Sequence, residues 1–300
     1  MLLPIIVNDV KHKEDQMETK KRKMILEETI ETIRSQLGSE MDSITVERAV
    51  IGLFFSGVRL STGDGGICFT PVKEIPEAVC CPSSARAIPG AGKLAHQPVS
   101  YYLDEMDQNA PLKKALGIAV LNALSTSCWH RKTPKEYGFD LGIDPLEGAS
   151  IPEDAYVVVI GALVPYIKML KARGKPFCIL EKDARTLKAD EMRYYVPPEH
   201  ANEEISKADW LIITGTTLIN DTLEDILDHC RSDANITLVG PTASMLPDAF
   251  FRRGIDSIGG IIVTDPDRLL DTLIEAGSGY HFYGKSAERL VIRRYTVAIQ

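Results

Sequence analysis

The stretch Thr214-Gly215-Thr216-Thr217, followed by Leu218-Ile219-Asn220, gathers three hydroxyls, a glycine and an amide within seven residues. At a junction between a strand and a helix, such a run offers unsatisfied backbone N–H groups and the positive end of a helix dipole. Both suit a carboxylate or phosphate. One threonine suffices for an N-cap; three threonines and a glycine exceed that need, and a binding turn is expected. Gly240-Pro241-Thr242-Ala243-Ser244 is a second small-residue turn with two hydroxyls. Alone it reads as an ordinary turn set by Gly and Pro, but beside the first it would make an open cradle.

Gly161 and Glu181 lie 20 residues apart at the ends of two apolar runs. This spacing mimics the dinucleotide fingerprint, in which the acid binds a ribose hydroxyl pair. The glycine set is absent, because the turn reads Gly161-Ala162-Leu163-Val164-Pro165 and does not open the backbone to a pyrophosphate. A carboxylate at Glu181 can bind a hydroxyl, an amine or a metal, or it is simply solvated beside Lys182 and Asp183. Ser61-Thr62-Gly63-Asp64-Gly65-Gly66 reads first as a hairpin turn, with a flap over a cleft as the alternative. Asn122 and Ser125 interrupt an apolar helix, where polar side chains either bond backbone in the core or face a cleft. His12, His96, His130, His200, His229 and His281 form no H-x-x-x-H or H-x-H pair. Cys128-Trp129-His130 is read as structural, since sequence neighbours rarely face each other as nucleophile and base. No catalytic residue and no cofactor is assigned.

The elements that must position these residues fall into two groups. Met17 to Leu37 has helical apolar spacing ending at Gly38. Ile44 to Phe55, Val58 to Leu60 and Ile67 to Thr70 read as an antiparallel meander, and Pro111 to Ser127 as one helix. Residues 131–152, rich in proline, glycine and mixed charge, read as a linker between a first domain at 1–130 and a second at 153–300. The second alternates strands (Tyr156 to Ile160, Phe177 to Leu180, Trp210 to Thr214, Asn235 to Val239, Gly260 to Val263) with helices. These include Val164 to Lys171, Leu218 to Cys230, one ending near Arg253, and Pro266 to Glu275. Such alternation implies a parallel sheet covered on both faces, with ligands outside the carboxyl ends of its strands.

The 34 basic and 42 acidic residues give a net charge of −8, which supplies no general attraction for nucleic acid or anionic lipid. The run Leu2 to Val7 contains Pro4, meets Asn8 and Asp9, and is too short for a signal-peptide core. No stretch reaches the roughly 18 apolar residues of a membrane span. The six cysteines, Cys80 and Cys81 adjacent among them, form no C-x-x-C pair. Reduced thiols and a cytoplasmic location are expected.

The order of motifs, from Ser61–Gly66 through Asn122-Ala123, Gly161, Glu181 and TGTTLIN to GPT, resembles a bacterial and archaeal family described as putative heavy-metal chelation. The resemblance runs over nearly the whole chain after about Met17. It implies an α/β protein: an N-terminal α+β domain like that of enolase, joined to a Rossmann-like three-layer domain with a mainly parallel sheet. It also implies a cleft lined by Thr62, Gly63, Asn122, Gly161, Glu181, Thr214, Gly215, Thr216, Asn220, Gly240, Pro241 and Thr242. The sequence departs from the pattern at Leu163, where phenylalanine is expected, and at Ser244, where a second proline is.

Three functions compete on these residues. The first is binding or conversion of a small anionic or amine-bearing metabolite, a metal chelator among the candidates, in an interdomain cleft. The second is direct metal binding through Glu181, Asp64 and a cysteine. The third is a nucleotide-dependent enzyme. Expected partners are thus a small-molecule ligand and, as an allowed assembly, a second copy in a homo-oligomer, with no nucleic acid and no membrane.

Overall fold

The computed structural model describes residues 23–74, 90–106, 110–147, 149 and 151–295. The run Leu2 to Val7, His12, the expected helix start at Met17 and the Cys80–Cys81 pair lie outside the described residues.

The first half begins with helix α1 (Ile25–Leu37), which buries Ile25, Leu26, Thr29, Ile33 and Leu37 at helical spacing and stops at Gly38, φ +59°. Strands β1 (Thr45–Ile51), β2 (Phe55–Leu60) and β3 (Gly65–Phe69) form the expected meander, and a short β4 (Gln97–Pro98) adds to its edge in the order β3-β2-β1-β4. After α2 (Val99–Leu103), helix α3 (Pro111–Arg131) runs through the core with proline in its first turn. It is apolar nearly all round because it is covered nearly all round: Ala115, Ile118, Ala119, Leu121, Ala123 and Leu124 are fully buried. Gly66 makes its contact with β3 possible. A Cβ there would press on the Ala119 carbonyl oxygen and lie 2.5 Å from the Ala123 nitrogen.

The second half is a sheet of eight strands. The six parallel ones are β6 (Val157–Ile160), β7 (Phe177–Leu180), β8 (Tyr195–Val196), β9 (Trp210–Thr214), β10 (Asn235–Val239) and β11 (Ser257–Val263), in the order β8-β7-β6-β9-β10-β11. Except in the short edge strand β8, whose residues are half-buried, their apolar runs are buried on both faces, as parallel strands require. Helix α4 (Val164–Arg173) follows β6, α5 (Ala201–Lys207) precedes β9, and α6 (Leu223–His229), α7 (Asp248–Arg252) and α8 (Pro266–Ile274) follow β9, β10 and β11.

Two antiparallel strands extend this sheet beyond β11: β12 (Ala287–Arg294) and, at its edge, β5 (Tyr137–Leu141). β5 lies inside the stretch read from sequence as linker. Its proline-bordered surroundings hide a strand that is fixed by pairing with β12, a non-local contact. The two halves share one apolar cluster, which joins Ile33, Val58, Leu60 and Leu121 to Leu211, Ile213, Leu238 and Phe250. Among the described residues no helix is long and apolar enough to cross a membrane.

Candidate functional site

Numbered from the first parallel strand, the order β8-β7-β6-β9-β10-β11 is 3-2-1-4-5-6, the doubly wound Rossmann order. Chain direction across such a sheet reverses between its first and fourth strands, here β6 and β9, and the crevice beyond their carboxyl ends is where the fold leaves room for a ligand. That crevice lies between Gly161 and Thr214.

Small residues meet at its floor. Gly161 has φ +101°, and a Cβ on it would sit 2.8 Å from Thr214 Cγ2, so the two strand ends abut. Gly240, φ +120°, ends β10, and Gly215 packs against Thr242 and Ala243 of the Gly240–Ser244 turn. The two hydroxyl-bearing turns are therefore neighbours, as the cradle reading requires.

The turn after β9 differs from expectation in one respect. Gly215–Leu218 is a single 3-10 turn, the chain breaks at Asp221 with φ +56°, and α6 starts only at Leu223. Helix Leu218 to Cys230 is thus shortened at its start. The ion pair between Lys114, buried in α3, and Asp221 draws the loop toward the first half, and Asn220 holds Thr222 locally. The long-helix dipole does not reach these threonines. Thr214 caps the 3-10 turn, its Oγ1 accepting weakly from Thr216 N at 3.4 Å, and buried Thr217 donates to Thr214 O at 2.7 Å. Thr214 Oγ1 and Thr216 Oγ1 are 3.1 Å apart. Two hydroxyls carry two protons and their mutual bond uses one. Both residues are half-buried, so the pair can donate one hydrogen bond outward.

On the other side of Gly161 stands the turn after β7. Half-buried Glu181 accepts from Asp183 N through Oε1 at 3.0 Å. Asp183 pairs with Arg185 and with Lys73 of the first half (2.7 Å to Lys73), and these cations hold its carboxyl well below the usual carboxylate range. Lys182 reaches back over the crevice. With the Asn220 amide turned so that its nitrogen donates to Thr222 Oγ1 and Thr217 O, Asn220 Oδ1 accepts from Lys182 Nζ at 3.3 Å.

The first half roofs this edge. Phe69 N donates to Thr242 Oγ1 at 3.1 Å, and four residues later Lys73 meets Asp183. Three strand spacings of about 4.8 Å separate β10 from β7. The segment Phe69–Lys73 therefore crosses the ends of β9 and β6, turning into a short 3-10 helix at Val72–Glu74, with the Lys73 side chain completing the span. Neither this strap nor Lys182 was singled out from sequence, and only Pro71, a residue that favours turns, marks the place where the segment bends.

The predicted lining divides accordingly. Gly161, Thr214, Gly215, Thr216, Gly240, Pro241 and Thr242 share the carboxyl edge, with Glu181 and Asn220 flanking. Asn122 sits behind it, 3% exposed, its Nδ2 facing Ile67 O (2.8 Å), Pro241 O (3.2 Å) and Thr242 O (3.1 Å). Ser125 likewise accepts from Leu246 N. Asn122 and Ser125 thus both bond backbone and dock the second half.

Thr62 and Gly63 are exposed at the β2–β3 turn, beside the end of α3. There Asp64, 8% exposed, accepts from Thr62 Oγ1 (2.8 Å) and Ser127 Oγ and pairs with His130 Nδ1 at 3.0 Å. Asp64 and Glu181 belong to separate turns. Among the described residues no three His, Cys, Asp or Glu side chains converge as a metal site. Burial pushes the Cys128 thiol up to about 12 and those of Cys178 and Cys230 up to about 11, and Cys68 is raised further, so none is a ready thiolate. The described donor set does not fit a heavy metal bound directly by side chains.

Comparison with known proteins agrees with this architecture. Two family models, both described as "Putative heavy-metal chelation", match residues 34–125 and 144–292. An uncharacterized protein of Methanocaldococcus jannaschii is 27% identical over 208 residues, covering 66% of this chain and 71% of that protein. A Pyrococcus horikoshii crystal structure of unknown function from the DUF364 family superposes with TM-score 0.70 at 19% identity, covering 90% of this chain and 100% of the other. A Desulfitobacterium hafniense structure from the same family gives TM-score 0.63 at 17% identity, over 89% and 99%. At these identities the two structures speak to fold alone.

Proposed function

Because the chain belongs to the family described as putative heavy-metal chelation, we propose that it binds a small anionic or amine-bearing metabolite of the chelator type in the crevice between its two halves. The observation that carries this reading is the meeting of Gly161 and Thr214 at the reversal point of a Rossmann strand order, under a strap from the other half. A chelator is a small molecule rich in carboxylate, hydroxyl or amine groups. The crevice offers each a counterpart: the outward proton of the Thr214–Thr216 pair for an acceptor, and the Glu181 carboxylate for a hydroxyl or amine.

The metal in this reading travels with the ligand, since the described side chains provide no coordination set of their own. A pyrophosphate-bearing cofactor is disfavoured because Ala162, Leu163 and Val164 fill the first turn where glycines would expose the backbone.

The test is a thermal-shift and calorimetric screen of polycarboxylate and amino-carboxylate chelators against the wild type and the double variant Thr216→Val, Glu181→Gln. Ligand-dependent stabilisation of the wild type that the double variant loses supports the site. Stabilisation that survives both changes unaltered places the ligand elsewhere.

A further inference from the structure

Lys182 has an environment unlike that of the other cations around the crevice. Lys73 and Arg185 are both spent on Asp183. Lys182, by contrast, is exposed, and with the Asn220 amide turned as described above its partner among the described residues is the neutral amide oxygen of Asn220, at 3.3 Å. The neighbouring carboxylates are engaged without it: Glu181 accepts the Asp183 amide, and Asp183 holds two other cations.

Its reach matters as much as its charge. Lys182 follows β7 and Asn220 follows β9, with β6 between them in the sheet. Two strand spacings amount to about 10 Å. The lysine side chain therefore extends across the end of β6, above the junction of Gly161 with Thr214, where Gly161 has no side chain to obstruct it. Asn220 is itself fixed by Thr217 O (3.2 Å) and Thr222 Oγ1 (2.7 Å), so it acts as a rest that positions the ammonium group without neutralising it.

From this geometry we infer that Lys182 is the specificity-determining cation of the crevice and selects the metal-free, polyanionic form of a small di- or tricarboxylate over its metal complex. The inference rests on the ligand site proposed above and adds its charge rule. Two donors stand together beyond the end of β9, the Lys182 ammonium resting on Asn220 and the Thr214–Thr216 pair, so a ligand with at least two acceptor groups engages both. An ammonium group repels a bound divalent cation, and a carboxylate coordinated to metal has lost the lone pairs and much of the charge that Lys182 would meet. The protein then releases or receives the chelator when its metal is exchanged, and takes no part as a ligand to the metal.

The experiment is calorimetric titration of the full chain with citrate, alone and saturated with Mg²⁺. It uses the wild type, Lys182→Met, Lys182→Arg and, as a control of equal charge change, Lys188→Met, six residues further along the chain. The expected result is binding of free citrate that Mg²⁺ weakens. Lys182→Met should lower affinity by about tenfold or more, the usual value of a charge-assisted contact, and should abolish the difference between free and Mg²⁺-bound citrate. Lys182→Arg should restore most of both, and Lys188→Met should change neither. If citrate binds Lys182→Met as tightly as wild type, the assignment of Lys182 is overturned while the crevice site stands, provided Thr216→Val still weakens binding. If neither variant changes an observed affinity, or the wild type binds no citrate, the crevice reading fails with it.

Discussion

Replacing Asn122 by alanine tests the joint between the two halves. The Asn122 amide faces three buried carbonyl oxygens, Ile67 O of β3 and Pro241 O and Thr242 O of the turn after β10, at 2.8–3.2 Å. It does so with two protons, so at least one bond is shared. Each net hydrogen bond contributes about 1 kcal/mol, and a buried carbonyl left without a partner costs about 1–3 kcal/mol. Against this, Asn122 Oδ1 is itself buried without a partner, and truncation removes that penalty. The balance is a loss of about 2–3 kcal/mol. For a chain of this length each kcal/mol lowers Tm by about 2–4 °C, and the smaller factor applies, giving a fall of about 4–6 °C. The assay is differential scanning calorimetry of wild type, Asn122→Ala and Asn122→Asp at one scan rate. The aspartate variant must lie below alanine, because a carboxylate would face three carbonyl oxygens and donate to none. A Tm for Asn122→Ala within about 1 °C of wild type, or an aspartate variant above alanine, would refute the view that this amide staples β3 to the turn after β10.

Three further outcomes follow from the same packing. Gly66→Ala should cost about 3 kcal/mol or more, measured by urea unfolding, because its Cβ would press on backbone of α3 and not on a movable side chain. Arg253→Met should cost about 2–3 kcal/mol by the same measurement, since a guanidinium only 3% exposed holds both Glu28 and Glu224 and ties α1 to the second half. Arg253 and Arg252 hold the Glu28 carboxyl below its ordinary value, so the stability this group contributes is present above the ordinary carboxylate range and is lost as pH falls through the lowered value; Glu28→Gln should flatten the acid limb of a Tm-against-pH curve. Mass-mapped alkylation of the native protein at pH 8 should leave Cys68, Cys128 and Cys178 unmodified, burial and raised thiols acting together, whereas urea-unfolded protein should react at all three.

The alternation of apolar runs with helical faces from Val157 onward, the meander before it and the apolar helix from Pro111 were all legible in the sequence. So was the chemistry of the Thr214–Thr217 and Gly240–Ser244 turns. Each is a local property: side-chain periodicity, β-branching, and the few residues that a tight turn admits. Tertiary structure decided what sits beside what. The strand order that turns Gly161 and Thr214 into neighbours is a set of pairings between segments about 50 residues apart, and no local pattern records it. The same holds for β5, which became a strand by meeting β12, and for α6, whose start moved to Leu223 once Lys114 held Asp221. Thr62 and Gly63 share a motif with the crevice residues but went with Asp64 to the end of α3, while Lys182 and Lys73, unremarkable along the chain, came to stand over the crevice. Sequence named residues whose chemistry suits an anion, and long-range packing chose which of them meet at the carboxyl edge of the sheet.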